Sequence, residues 1–155
     1  MGNSKKQSIQ KEIHGFTEEE IFNLYKFLCI YESVLSKMPD GAALIKKYTT
    51  LKGVKSKIKR VLKPVCLSKT KITNINDTDI IPDTFYYSAQ KGKKQEITVL
   101  LHLRDAIAHG LIEKCGNYIS IRDFDVNTNE YTAKGYIECK KVFDIINIIN
   151  KTVNL

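Results

Sequence analysis

The sequence predicts a mainly α protein, a helical bundle carrying one small β-hairpin. Apolar residues recur at three- and four-residue spacing in four separate segments, the pattern of helices with one buried face. Alternation of period two is confined to residues 118–124 and 130–136, with turn chemistry between them. The last apolar-periodic segment follows that hairpin directly, and there are no internal repeats and no low-complexity tract.

The first 13 residues are polar, basic and without periodicity, and are expected to form a flexible segment ahead of one domain over residues 14–155. The first helix begins with Thr17 as N-cap and Glu20 three residues later, so that each side chain satisfies a backbone N–H of the first turn. Phe16 and Ile21 flank that box as a hydrophobic staple. Ile21, Leu24, Leu28, Tyr31 and Leu35 predict its buried face, and Pro39-Asp40-Gly41 ends it. A second helical stretch is expected within residues 42–63, with Leu51, Val54, Ile58, Val61 and Leu62 as its apolar stripe. Gly53 weakens its middle, as if dividing it in two, and Pro64 stops it. Residues 66–90 hold Asn74, Asn76, Asp77, Asp79, Pro82 and Asp83 in quick succession and read as a long irregular loop.

Residues 94–109 predict the third helix. Ile97, Leu100, Leu101, Ala108 and Leu111 mark one face, and Leu103 with Ile107 a second. A helix apolar on two sides belongs at the centre of a core or in a subunit interface. Gly110 stands where a left-handed C-terminal cap is wanted. Tyr118–Phe124 and Glu130–Tyr136 then predict the hairpin, and a final helix over about 138–151 buries Val142, Ile145, Ile146 and Ile149.

A chain of 155 residues buries a core without disulfides or metals. No apolar run approaches ~18 residues, so no membrane span is expected. The N-terminus lacks a signal peptide's apolar stretch, and Lys6 occupies the position where a myristoylation signal needs Ser or Thr. The expected compartment is the cytoplasm. Cys29, Cys66, Cys115 and Cys139 are too scattered for a zinc site or a disulfide scaffold, and are expected to be reduced and partly buried. No cofactor is expected. Of the formal charge of +8, the stretch from Lys46 to Lys71 carries +10, with ten basic residues and no acid. Such a block reads either as a phosphate-facing surface or as a solvated helix face, and Tyr48 is its only aromatic.

The chemistry concentrates in Leu101–Gly110. Arg104 and His109, five residues apart on a helix, lie about 140° apart around the axis and about 7.5 Å apart along it. They do not share a face. Arg104 is long, however, and His109 is at the helix end, so the two groups can converge on a cleft there, most naturally where two such helices meet across a two-fold axis. An arginine offers a fixed fork of donors to a phosphate, and a histidine moves protons near neutral pH. Asp105 is placed to orient either group. The bland alternative is a capping and salt-bridge arrangement at a helix end. His102 is expected to be partly buried structure or a supporting residue, and His14 incidental. Tyr86 and Tyr87 either turn inward or stack on bases.

Arg104-Asp105-Ala106-Ile107-Ala108-His109 resembles the motif of the HEPN superfamily: arginine, a polar residue, three variable positions and histidine. The wider Leu103–Gly110 segment is similar to the form found in many small bacterial HEPN proteins, where a short β segment and a final helix often follow. The resemblance spans the second half of the chain. The first half matches only as helices of suitable number, and Asp105 stands where the family most often has asparagine. The resemblance implies a HEPN-like helical bundle that forms a homodimer through its motif helix and acts as a metal-independent endoribonuclease. Arg104 would hold the scissile phosphate and Asp105 would position the groups. His109 would assist attack by the ribose 2′-hydroxyl, leaving a 2′,3′-cyclic phosphate. Lys52, Lys55, Lys57, Lys59, Arg60 and Lys63 would hold the RNA backbone. A toxin or antiviral-defence role, with an antitoxin or regulatory protein as partner, is the implied setting. Two alternatives stay open: a catalytically silent HEPN-like module that dimerises and binds nucleic acid or protein, and a basic nucleic-acid-binding protein of unrelated helical fold.

Overall fold

In the computed structural model, which describes residues 15–37 and 52–153, the chain is a mixed α/β fold built on a five-stranded sheet. This corrects the expectation of a mainly α, HEPN-like helical bundle. The hairpin is present, but it is the middle of a sheet and not an appendage. The expected flexible segment, His14, the stop at Pro39-Asp40-Gly41 and the first part of the second helix, including Lys46, Lys47, Tyr48 and Leu51, lie outside the described residues.

Helix α1 (Glu18–Ser33) opens on the predicted capping box: the Glu20 N–H donates to the Thr17 hydroxyl at 3.2 Å and the Thr17 N–H donates to Glu20 Oε1 at 3.0 Å. Its buried residues are Leu24, Phe27, Ile30 and Tyr31, so the inward face is turned from the predicted stripe toward Phe27 and Ile30. Helix α2 (Lys52–Lys57) holds Gly53 in its first turn and continues as a π turn over Ile58–Leu62. Val54, Ile58 and Leu62 enter the core. The turn ends at Lys63, whose φ of 42° leads the chain out ahead of Pro64.

The supposed loop of residues 66–90 contains regular structure. Strand β1 (Val65–Cys66), helix α3 (Lys69–Thr73), a 3₁₀ turn at Asp77–Asp79 and strand β2 (Phe85–Tyr87) follow one another. Ser68 caps α3 by accepting the Lys71 N–H at 3.2 Å. All three residues of β2 are buried, so the strand carries no in–out alternation for a periodicity reading to detect. Tyr86 and Tyr87 accordingly point into the protein. The segment is tied down by Lys134, only 4% exposed, whose Nζ donates to the Thr73 and Ile75 carbonyls at 3.2 and 2.9 Å and sits 4.6 Å from the centre of the Tyr131 ring.

Helix α4 (Gln95–Ala108) lies across the sheet and leads into strands β3 (Ile112–Cys115), β4 (Tyr118–Asp125) and β5 (Glu130–Glu138), and helix α5 (Cys139–Thr152) closes the chain. The strand order is β1-β2-β5-β4-β3, with β1 and β2 parallel and the other neighbours antiparallel. Ile119, Ile121, Ala133 and Ile137 face α4 and α5 and form the core with Leu100, Leu103, Val142, Ile145, Ile146 and Ile149. Arg122 and Lys134 take the opposite face, which α3 partly covers. The β4–β5 ladder carries a bulge: Asp123 opposes Ala133 and Phe124 opposes Tyr131, leaving Thr132 unmatched. Among the described residues no helix is long and apolar enough to cross a membrane. Cys29, Cys66 and Cys115 are exposed, against the expectation of partly buried thiols; only Cys139 is partly buried.

Candidate active site

The end of α4 is shaped by its backbone. Gly110 has φ 69°, its N–H donates to the Ile107 carbonyl at 3.1 Å, and the Leu111 N–H donates to the Ala106 carbonyl at 2.8 Å. These are the paired bonds of a Schellman turn, which satisfies the last carbonyls of the helix. His109 is the C-cap residue and its side chain is exposed. The Arg122 N–H donates to the Leu111 carbonyl at 3.0 Å, so the turn is fastened to the sheet just past the histidine.

Asp105 and His109 line one cavity of about 510 Å³, which extends over the ends of β4 and β5 and the loop after β2. Arg104 does not line it. Its guanidinium faces α1, where it forms ion pairs with Glu32 and, at 2.7 Å, with Asp105. The hydrogen bond that Arg104 donates to Asp105 and the nearby Glu32 carboxylate raise the Arg104 pKa further, so the group stays a cation throughout. Its Nε is buried without a partner among the described residues. Tyr31 of α1 is 2% exposed, and burial, reinforced by the Asp105 and Glu32 charges, pushes its phenol up to about 12. Asp105 therefore joins two halves of the motif: it holds Arg104 on one side and shares the cavity with His109 on the other.

His102 is the functional-looking residue that sequence reasoning undervalued. It is fully buried, its Nδ1 lies 2.9 Å from Asp123 Oδ2, and its Nε2 lies 2.9 Å from the Ser88 carbonyl. A carbonyl only accepts, so Nε2 carries a proton. The Nδ1 contact needs a second, on the ring or on the carboxyl. Asp123 is 5% exposed and lines the same cavity as Asp105 and His109. The spacing offered a partial signal, since His102 belongs to the motif helix and Asp123 to a predicted strand. Nothing in one sequence places the two side by side.

No protein-family model matches the chain, and no curated protein or solved structure matches it. The residues alone therefore carry the functional reading.

The basic block is divided by the fold. Lys55 lies 3.9 Å from the buried Glu96, and Lys57 lies 3.6 Å from Asp144. Lys59, Arg60 and Lys63 are exposed and have no ion pair among the described residues. Of Lys52 only the backbone is described. None of these residues lines the cavity of Asp105 and His109, whereas Lys69 and Lys91 do. Among the described residues no group of three or more His, Cys, Asp or Glu is placed to hold a metal ion.

A second, apolar groove of about 210 Å³ runs between α1 and the end of α4, lined by Ile21, Leu24, Tyr25, Leu28, Ile107 and Ala108 among others. Beside it α1 exposes Phe22 at 66% and Tyr25 at 62%, three residues apart and hence on one side of the helix.

Proposed function

We propose that this chain is an endoribonuclease of HEPN type, acting as a homodimer through Arg104, Asp105 and His109 without a metal cofactor. The observation that carries the reading is His109: an exposed imidazole held by a Schellman turn on the rim of a polar cavity that Asp105 also lines. The guanidinium of Arg104 is a permanent cation shaped to receive a phosphate, and Glu32, 55% exposed, is the partner it can exchange for one. His109 takes the proton of the ribose 2′-hydroxyl as its oxygen attacks phosphorus. The bond from phosphorus to the 5′-oxygen breaks, the leaving oxygen takes up a proton, and a 2′,3′-cyclic phosphate and a 5′-hydroxyl remain. DNA, lacking the 2′-hydroxyl, is not cut.

The exposed Phe22–Tyr25 face beside the end of α4 supports self-association near the motif, since an apolar pair of that kind on a helix favours a partner surface. Lys59, Arg60 and Lys63 supply a salt-sensitive hold on the RNA backbone. A toxin or antiviral-defence effector, restrained by a partner protein, is the setting in which such an enzyme would work.

One observation favours a second reading, that of a silent dimerising module that binds nucleic acid or protein: Arg104 already has two carboxylate partners, Glu32 and Asp105. Incubation with single-stranded RNA in EDTA separates the two. The nuclease reading expects cleavage with cyclic phosphate ends, reduced about 10²-fold or more by Arg104→Ala and by His109→Ala. RNA binding by wild type with no cleavage across varied sequences gives the ground to the binding module.

A further inference from the structure

The cavity beside His109 has an inner wall that RNA cleavage itself does not use. Asp123 contributes one carboxylate oxygen to His102, and among the described residues no hydrogen bond reaches the other, Oδ1. Thr132, 8% exposed and part of the same wall, has a buried hydroxyl oxygen without a partner among the described residues. The β-bulge brings the two together, because Thr132 is the extra residue opposite the Asp123–Phe124 step. Bulges of this kind re-aim side chains next to sites.

The charged groups of the cavity differ in exposure, and Asp123 is the most buried of them. Three carboxyl groups line the cavity, and each already has a partner: Asp105 pairs with Arg104, Asp123 shares a proton contact with His102, and Asp125 is 3.1 Å from Lys69. Lys91, exposed and without an ion pair among the described residues, remains as the free cation of the lining, and the exposed His109 stands with it on the rim. A phosphate is therefore favoured at the rim and repelled from the recessed acceptors. A group that enters must bring an N–H donor to Asp123. The volume of about 510 Å³ falls inside the roughly 300–1,000 Å³ typical of small-ligand sites.

We infer that this cavity receives one nucleobase next to the scissile phosphate, and that Asp123 selects bases bearing an exocyclic amine. The inference rests on the RNA reading given above. The amines of adenine, guanine and cytosine protrude from the ring and can reach a recessed carboxylate oxygen. The only donor of uracil, its ring N3–H, is set between two carbonyls that the same carboxylate repels. Thr132 supplies a hydroxyl able to donate to a neighbouring ring nitrogen or carbonyl. Asp123 is thus a specificity-determining residue, and His102, fixed on the Ser88 carbonyl, positions it.

The test is equilibrium binding of the four ribonucleoside 3′-monophosphates to the full chain by calorimetry, up to millimolar ligand. These resemble products and are not cleaved, so the measurement is independent of nuclease activity. Adenosine, guanosine and cytidine 3′-monophosphates are expected to bind at least about tenfold tighter than the uridine form, the scale of one hydrogen bond to a charged acceptor. Asp123→Asn is expected to erase that preference. Should Asp123→Asn unfold, which circular dichroism would report, Thr132→Val should weaken the three amine-bearing ligands severalfold. Equal affinity for all four, or no binding of any, overturns the inference. Cleavage of RNA with no base preference overturns it while leaving the nuclease standing, and selective binding without cleavage does the reverse.

Discussion

His102 and Asp123 bind α4 to β4 through a contact from which water is almost wholly excluded. Removing the ring leaves one Asp123 carboxyl oxygen without its buried partner, and the loss of one member of a buried pair is costly. His102→Leu is expected to lower unfolding free energy by about 3 kcal/mol, read from urea denaturation. A second pair is pH-dependent. Burial alone would raise the Glu20 carboxyl, but the Thr17 N–H and the Lys114 ammonium, at 3.0 Å, outweigh it and hold the group below its ordinary 4.5. Glu20 is thus easier to protonate in the unfolded chain than in the folded one. Its contribution is complete above about pH 4.5 and disappears as pH falls through the lowered folded value. Lys114→Met should remove part of the loss of stability on acidification, measured by urea melts at stepped pH. At this scale Arg104, Asp105 and His109 were legible as residue types in a spacing. Their partners Glu32 and Tyr31 were not, because they lie about seventy positions away in the chain.

Among the elements, those with a local signature were readable and those defined by neighbours were not. Thr17 and Glu20 announce α1, Gly110 announces the end of α4, and the stripe of α5 is the predicted one, with all four of Val142, Ile145, Ile146 and Ile149 buried. By contrast, β1 and β2 have two and three residues, and their identity comes from pairing with each other and with β5. Helix α3 hid among turn residues because its anchor, Lys134, comes some sixty residues later. The Schellman turn lends itself to a direct check. Gly110 is in the left-handed region, where a Cβ costs roughly 1–2 kcal/mol. Gly110→Ala should lower stability by that amount and, under the proposed nuclease function, displace His109 and lower RNA cleavage more than RNA binding. Thermal melts together with separate binding and turnover measurements would show the split.

For the whole molecule, the fold differs from a helical bundle because half of its strand pairings are distant in sequence. The hairpin reading found β4 and β5, but periodicity does not say that β2 and β3 complete a sheet on either side. The helices of the motif half then rest on a sheet, with α4 held against β4 and α1 against α5. That arrangement leaves Arg104 turned toward α1 and His109 toward the cavity, so one protomer offers the two groups in different directions. A site shared between two protomers makes a quantitative prediction. Arg104→Ala and His109→Ala proteins, each inactive alone, should recover about one quarter of wild-type activity when mixed at equal amounts and allowed to exchange subunits. Half of the dimers are then mixed, and each mixed dimer has one of two sites intact. Mixtures as inactive as the separate variants would mean that Arg104 and His109 serve the same chain.

The bulge at Thr132 bears on how this chain is to be lined up with others. A ladder that absorbs one surplus residue can also lose it, since the strands on either side keep their pairing. Sequences sharing this architecture need not agree in length between Glu130 and Ala133. An alignment that forbids a gap there would shift Tyr131 and Glu130 by one position and assign each to the wrong face of the sheet. Comparison of this hairpin across species should therefore anchor on the Ile121–Gly135 and Arg122–Lys134 pairs and let the stretch before them slide.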